Sequence, residues 1–180
     1  MDLGIRGRTA AVAAASAGLG YAAAAALAAE GVRVVICSRD AGRVRDAAAR
    51  IGADCVGVAC DVSTPEGGAR FAQEARAVLG HVDIAVLNGG GPRPGGFAAT
   101  GPDDYRAALD ASLMASVAMT HAVVPHMRER GWGRVVAITS VSARQPIPSL
   151  ILSSTARAGD RKSTRLNSSH VSESRMPSSA

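Results

Sequence analysis

Aromatic residues, cysteines and long apolar runs are all scarce in this chain. Aromatic side chains make up only 3% of the 180 residues and the basic residues are scattered, so the net charge of +5 does not predict nucleic-acid binding. The chain has no run of 18 apolar residues, so we predict no membrane span. The N-terminus lacks the apolar segment of a secretory signal. Cys37, Cys55 and Cys60 lack C-x-x-C spacing, which favours buried free thiols in a cytoplasmic protein. His121 and His126 lie five positions apart, a poor spacing for a shared metal ion on a helix.

What the chain does contain is a regular alternation of short apolar runs and helical stretches. Hydrophobic residues make up 47% of it, enough for one domain with a real core. The apolar runs predict strands over 9–14, 32–37, 54–59, 82–87 and 133–139, and the stretches between them predict helices over 18–30, 41–51, 65–79 and 102–129. This alternation predicts an α/β fold with a Rossmann-type, doubly wound parallel sheet in the order 3-2-1-4-5. A ligand crevice is then expected between strands 1 and 4.

The composition changes near residue 160. After Gly159 come seven serines, no glycine and the only lysine of the chain, Lys162, which predicts disorder. A natural disordered tail is one interpretation. We favour a non-native tail, because the segment resembles a stretch that recurs at the ends of unrelated conceptual translations. We therefore expect residues 1–159 to form an incomplete, C-terminally truncated domain whose fifth helix has barely begun at Gly159, followed by a disordered tail over 160–180.

The turn after the first predicted strand is rich in small residues. It reads A-A-A-S-A-G-L-G, and its glycines would let the backbone approach a phosphate closely. A helix that begins near Gly18 points its free N–H groups at that phosphate. A nucleotide cofactor is the first hypothesis, and an ordinary turn that binds nothing is the alternative. The candidate contacts are Ala14, Ser16, Gly18, Leu19 and Gly20.

Ser38 and Arg39 follow the second predicted strand. A carboxylate directly at this strand end selects the ribose 2′-hydroxyl, whereas arginine suits a 2′-phosphate. The order of these residues therefore favours NADP(H) over NAD(H). A solvated loop charge is the alternative interpretation of Arg39.

Two more motifs follow the third and fourth predicted strands and point to the same edge of the sheet. Asp61 and Val62 are placed to cap an adenine edge, although a plain loop aspartate fits as well. Asn88, Gly89 and Gly90 leave room for a flat or phosphorylated ligand against the backbone, and a flexible loop is the alternative.

Taken together, these motifs resemble the short-chain dehydrogenase/reductase family. The segments A-A-A-S-A-G-L-G, C-S-R-D, C-D-V, L-N-G-G-G and I-T-S-V-S occur in the family's order within residues 5–159. The resemblance implies an oxidoreductase that moves hydride between NADP(H) and a carbonyl or alcohol. The family's first turn glycine is Ala14 here, which is tolerable if the φ of Ala14 is negative. A dinucleotide-binding sensor or partner-binding protein without turnover is the alternative.

The catalytic positions that the resemblance implies are mostly altered. Ser140 matches the family serine that positions the carbonyl. Ser153 and Arg157 stand where the family has a proton-donating tyrosine and a lysine, and Ser112 stands where it has an asparagine. A serine hydroxyl is far less acidic than a phenol, and an arginine is permanently charged. The candidate catalytic residues are therefore Ser140, Ser153 and Arg157, the last two with altered roles.

We use the term parent protein for the longer protein of which this chain would be a fragment. The resemblance also implies a small-molecule substrate and a homo-oligomer of the parent protein, formed through its fourth and fifth helices. We expect no nucleic acid, membrane or metal ion as a partner. We expect the 180-residue chain to be an inactive fragment.

Overall fold

A computed structural model describes residues 3–167, with side-chain surroundings up to residue 162. Five parallel strands form one sheet in the order β3-β2-β1-β4-β5, which confirms the predicted topology. The strands are β1 (Thr9–Val12), β2 (Arg33–Ser38), β3 (Cys55–Ala59), β4 (Ile84–Leu87) and β5 (Arg134–Ala137). Each is shorter than, or shifted by a residue from, its predicted span, because the apolar runs extend into the flanking turns.

Six α-helices connect and cover the strands. They are α1 (Gly18–Ala29), α2 (Ala41–Ile51), α3 (Pro65–Leu79), α4 (Pro102–Leu109), α5 (Ala115–Glu129) and α6 (Ile151–Asn167). The side chains of Asp40 and Thr64 cap α2 and α3 by accepting hydrogen bonds from backbone N–H groups of the first turn. The helix predicted over 102–129 is interrupted by one π-helical turn, Asp110–Met114, which separates α4 from α5.

The prediction of disorder from residue 160 is wrong for residues 160–167. These residues continue α6, which is therefore a full helix rather than one that has barely begun at Gly159. Tertiary packing orders the first turns of α6, where Leu152 and Ala156 pack against Ala108 of α4. Past Gly159, Asp160 is buried and pairs with Arg157 of the preceding turn. Residues 168–180 lie outside the described part of the chain. The division into a native domain and a non-native tail stays a prediction.

The alternation of side chains along the central strands builds a core on both faces of the sheet. Ala11 and Val35 point to the face covered by α3 and α5, where Phe71 is fully buried. Val12 and Ile36 point to the opposite face, covered by α1 and α2. Burial on both faces explains why the strands read as continuous apolar runs.

The helices α3 and α5 approach each other very closely. A Cβ atom at Gly68 of α3 would overlap the carbonyl oxygen of Ala115 at the start of α5. By length and mean hydropathy, 1.4, the helical stretch Pro102–Glu129 could cross a membrane. Here its inward residues, Met119 and Val123 among them, pack on the sheet, as in a core helix.

Candidate functional site

The turn from β1 into α1 has the strained conformation that the sequence did not predict. Ala14 has a φ of +47°, so the negative φ at which alanine would be tolerated without strain is not found. Its N–H donates to the Sγ of Cys37, at 3.3 Å, and the N–H of Ala15 donates to the carbonyl oxygen of Cys37, at 2.9 Å. These two bonds to β2 hold the backbone in the left-handed region, which an L-residue occupies at a cost. Gly18 has a φ of +62° and begins α1.

Asn88 fastens the same turn from the end of β4. Its Nδ2 donates to the carbonyl oxygens of Ala13, at 3.2 Å, and Ala14, at 3.1 Å. A Cβ atom at Gly20 would lie 2.6 Å from that nitrogen and 2.8 Å from the Ala14 oxygen. Gly20 is therefore needed for close packing between α1, the turn and β4.

A cavity of about 580 Å³ opens beside this turn, at the carboxyl ends of β1 to β4. Seven of the predicted cofactor residues line it: Ala14, Ser16, Ser38, Arg39, Asp61, Val62 and Gly90. The other five, Gly18, Leu19, Gly20, Asn88 and Gly89, belong to the two loops that border it. The structure thus brings the four motifs together at one edge of the sheet.

The end of the cavity beside β2 is basic. Arg39 and Arg43 both line it and both are exposed. Asp40 lies between them, but its Oδ1 accepts a hydrogen bond from the backbone N–H of Arg43, at 2.9 Å, and so caps α2. Sequence reasoning missed Arg43. The sequence did contain a signal for it. A capping aspartate at position 40 places residue 43 in the first turn of α2, next to the loop that carries Arg39.

The other walls of the cavity carry tethered polar groups. The Oδ1 of Asp61 accepts from the backbone N–H of Ser63, at 2.9 Å, which fixes the loop after β3. Arg93, in the glycine-rich loop after β4, pairs with Asp104 of α4 at 2.7 Å. Hydrogen bonding to Arg93 holds the pKa of the Asp104 carboxyl below its usual value.

Ser140 lies past the end of β5, at the entry to a short 3₁₀ turn, Val141–Ala143. Its Oγ accepts two hydrogen bonds from Ser142, one from the backbone N–H at 3.2 Å and one from the Oγ at 2.9 Å. The Oγ of Ser142 lies 3.3 Å from the Oγ of Ser153, on α6. The structure therefore joins Ser140 and Ser153 through Ser142, which sequence reasoning missed. No motif marked Ser142, since its place between the other two depends on the 3₁₀ turn.

Arg157 is held inside the protein. It is 6% exposed, and its Nη1 contacts both the carbonyl oxygen of Ile138 and the Oδ2 of Asp160, each at 3.4 Å. Burial raises the pKa of the Asp160 carboxyl, and Arg157 partly offsets that rise. The guanidinium thus ties α6 to the end of β5.

Ser112 and the three cysteines are buried. Ser112 lies in the π-helical turn, fully buried, and its Oγ has no hydrogen-bond partner among the described residues. Cys37, Cys55 and Cys60 are free and buried, as predicted. Burial raises the pKa of the Cys37 thiol to about 12 and that of Cys55 to about 11. Within residues 3–167, no three His, Cys, Asp or Glu side chains are grouped to hold a metal ion.

Comparison with known sequences identifies relatives among the dehydrogenases and reductases. The family model for the short chain dehydrogenase matches residues 8–175. Dehydrogenase/reductase SDR family member 4 of Bos taurus is 34% identical over 147 residues, which cover 79% of this chain and 53% of that protein. The chain spans about half the length of this and other curated relatives that it matches.

Solved structures agree with this relationship. L-sorbose reductase from Gluconobacter frateurii, in complex with NADPH and L-sorbose, is 29% identical and superposes with a TM-score of 0.87 over 92% of this chain and 65% of its own. A short chain oxidoreductase from Pseudomonas aeruginosa PAO1, described as containing an atypical catalytic center, is 29% identical with a TM-score of 0.80, over 88% of this chain and 63% of its own. Other similar structures hold NADH.

The family match extends over most of the chain, and L-sorbose reductase superposes on 92% of it. The glycine turn, the strand-end loops and Ser140 occupy the places that the sequence motifs predicted. The chain belongs to the short-chain dehydrogenase/reductase family of oxidoreductases.

Proposed function

We propose that this chain carries the cofactor-binding part of an oxidoreductase that moves hydride between NADP(H) and a carbonyl or alcohol. The observation that carries the proposal is the 580 Å³ cavity at the carboxyl edge of the sheet, where the loops after four strands meet. When bound, the cofactor supplies or accepts the hydride. The turn at Ala14 to Gly20 and the N-terminus of α1 would hold its diphosphate.

The preference for the 2′-phosphorylated cofactor rests on the basic end of this cavity. Arg39 and Arg43 are exposed there, and the carboxylate that could bind a ribose 2′-hydroxyl instead, that of Asp40, is engaged as the cap of α2. Two arginines suit a phosphate dianion, because charge-assisted hydrogen bonds to phosphate are about twice as strong as hydrogen bonds to a neutral hydroxyl. The complex of L-sorbose reductase with NADPH supports the same choice, although other similar structures hold NADH.

Arg39→Ala tests this preference. A charge-assisted hydrogen bond contributes about 1.5–3 kcal/mol, so we expect the Kd of NADPH to rise tenfold or more and that of NADH to change less than twofold. Arg43→Ala should act in the same direction. Arg45→Ala is the matched control, since Arg45 is exposed on α2 and is not among the residues that line the cavity. An equal loss for both cofactors would exclude a 2′-phosphate contact.

The length of the curated relatives determines which protein these tests should use. The relatives are about twice as long as the matched segment, so we propose that the active enzyme extends beyond these 180 residues and that the fragment alone is inactive. The exposed edge at β5, where Val136 is 51% exposed, supports poor solubility of the isolated chain. The parent protein is then the extended protein that contains residues 1–167, through the end of α6. Its homo-oligomeric state and cytoplasmic location stay predictions.

On the catalytic side, we propose that Ser140 donates a hydrogen bond to the substrate carbonyl and that Ser153 does not supply the proton. An acid–base group in the part of the parent protein beyond this chain would supply the proton that the alkoxide takes up after hydride transfer. The similar Pseudomonas aeruginosa structure is described as containing an atypical catalytic center, which supports a reaction without the usual residues. Arg157, bound to Ile138 and Asp160, would act by positioning α6.

The second candidate function is a dinucleotide-binding protein without turnover. The observation that favours it is the ion pair between the buried Arg157 and Asp160, which engages the cation that stands at the position of the family lysine. Stopped-flow measurement of NADPH oxidation by the parent protein, with a panel of ketones, separates the two. Tight NADPH binding without oxidation by any ketone would support the second function.

A further inference from the structure

The hydroxyl groups of Ser140, Ser142 and Ser153 form a continuous chain of hydrogen bonds between the 3₁₀ turn after β5 and α6. The Oγ of Ser142 donates to the Oγ of Ser140 at 2.9 Å and lies 3.3 Å from the Oγ of Ser153. Ser142 is 2% exposed, whereas Ser140 and Ser153 are only partly buried. The middle hydroxyl is therefore shielded from water and the outer two are not.

The direction of these bonds follows from the number of protons. A serine hydroxyl has one proton to donate and two lone pairs to accept with. Ser142 gives its proton to Ser140, so in its contact with Ser153 it must accept. The chain of donors therefore runs from Ser153 to Ser142 to Ser140.

This direction determines what Ser140 can do. Its oxygen already accepts from the backbone N–H and from the hydroxyl of Ser142, so both of its lone pairs are occupied. The proton of Ser140 is then directed away from Ser142, and the hydroxyl acts as a donor. A substrate carbonyl oxygen needs a donor, since it gains negative charge as hydride reaches the carbon.

We propose that Ser142 is a positioning residue for the reaction, which fixes Ser140 as an obligate hydrogen-bond donor to the substrate carbonyl. Ser142 would not touch the substrate. The inference rests on the proposed oxidoreductase function, because it concerns how Ser140 serves that reaction. The burial of the Ser142 hydroxyl between the other two then has a functional explanation, which the roles of Ser140 and Ser153 alone do not provide.

The test is the Ser142→Ala variant of the parent protein, assayed with NADPH and the best ketone of the panel. Loss of an oriented oxyanion donor typically costs 10²–10³ in kcat, and a loosened donor should cost less. We therefore expect kcat to fall about tenfold, with the Kd of NADPH changed less than twofold. Ser142→Thr keeps the hydroxyl and should restore most of kcat.

Ser154→Ala is the control for general damage to this region. Ser154 is the neighbour of Ser153 on α6, and its hydroxyl donates to the carbonyl oxygen of Leu150 at 2.9 Å, outside the chain of hydroxyls. We expect its kcat to stay within twofold of the parent. Equal losses in Ser142→Ala and Ser154→Ala, or no loss in Ser142→Ala, would overturn the proposal.

Failure of the proposed function gives a different result. If the parent protein binds NADPH but oxidises it with no ketone, the oxidoreductase proposal fails. The positioning role is then decided by crystal structures of the parent protein and of Ser142→Ala. We expect the Ser142 Oγ within 3.5 Å of both other hydroxyl oxygens, and a changed Ser140 rotamer in the variant. Absence of either contact, or an unchanged Ser140 rotamer, would overturn it.

Discussion

Replacing Ala14 by glycine should stabilise the parent protein, which is the opposite of what glycine does at most positions. Ala14 has a φ of +47°, and the left-handed conformation costs an L-residue about 1–2 kcal/mol. Glycine removes that cost but adds about 0.5–1 kcal/mol through the greater entropy of the unfolded chain. The net gain is about 0.5–1 kcal/mol, which raises the melting temperature by about 1–4 °C in a protein of this size.

The neighbouring residue provides the control. Ala13 is 2% exposed and has no positive φ, so Ala13→Gly loses a buried methyl group and gains only chain entropy. Its expected cost is about 1.5 kcal/mol, from about 0.8 kcal/mol for the methyl group and the glycine penalty. Urea unfolding, followed by circular dichroism, should therefore separate the two variants by at least 2 kcal/mol, with opposite signs. A loss of stability in Ala14→Gly equal to that in Ala13→Gly would refute the strained turn.

Three further outcomes are expected in the parent protein. Ser153→Ala should lower turnover less than about tenfold, short of the 10²–10⁴ of an acid–base residue, and a larger loss with intact NADPH binding would contradict our assignment. At pH 8, Cys37, with a pKa near 12, should react with a thiol reagent only after unfolding, and rapid labelling of the native protein would show that it is exposed. Arg157→Ala should destabilise by about 3–5 kcal/mol at neutral pH. Because burial already raises the pKa of Asp160, its native form binds the proton more tightly than the unfolded form, so stability is lost as pH rises. The deficit of the variant should shrink toward pH 4, and a deficit independent of pH would exclude this explanation.

The sheet could be predicted because its information is local. Buried parallel strands are continuous apolar runs, and the glycine and proline signals between them mark where the helices begin and end. The spans of α2 and α3 were confirmed to the residue, since Asp40 and Thr64 cap them by contacts within three positions in the sequence. The position of the four motifs at one edge of the sheet also followed from topology, because the carboxyl ends of adjacent parallel strands share an edge.

What could not be predicted depends on contacts distant in sequence. The positive φ of Ala14 follows from bonds to Cys37, 23 residues later, and its one signal in the sequence is the glycine that the family has at this position. The packing of Leu152 and Ala156 against α4 holds the first turns of α6, and the ion pair of Arg157 with the buried Asp160 holds the turn that includes Gly159. These contacts outweigh a composition typical of disorder. The place of Ser142 depends on a single 3₁₀ turn.

The amide of Asn88 has an electrostatic consequence for the turn that it holds. Two carbonyl oxygens, those of Ala13 and Ala14, stand beside the region where an anionic ligand is proposed to bind. Unscreened, their partial negative charges would repel a diphosphate. By donating hydrogen bonds to both oxygens, the Nδ2 group offsets their partial negative charges. The backbone N–H groups of the turn then dominate its electrostatic potential, which favours an anion in the cavity. An aspartate at position 88 would have nearly the same shape but the opposite polarity, so it would turn an anion-attracting loop into an anion-repelling one.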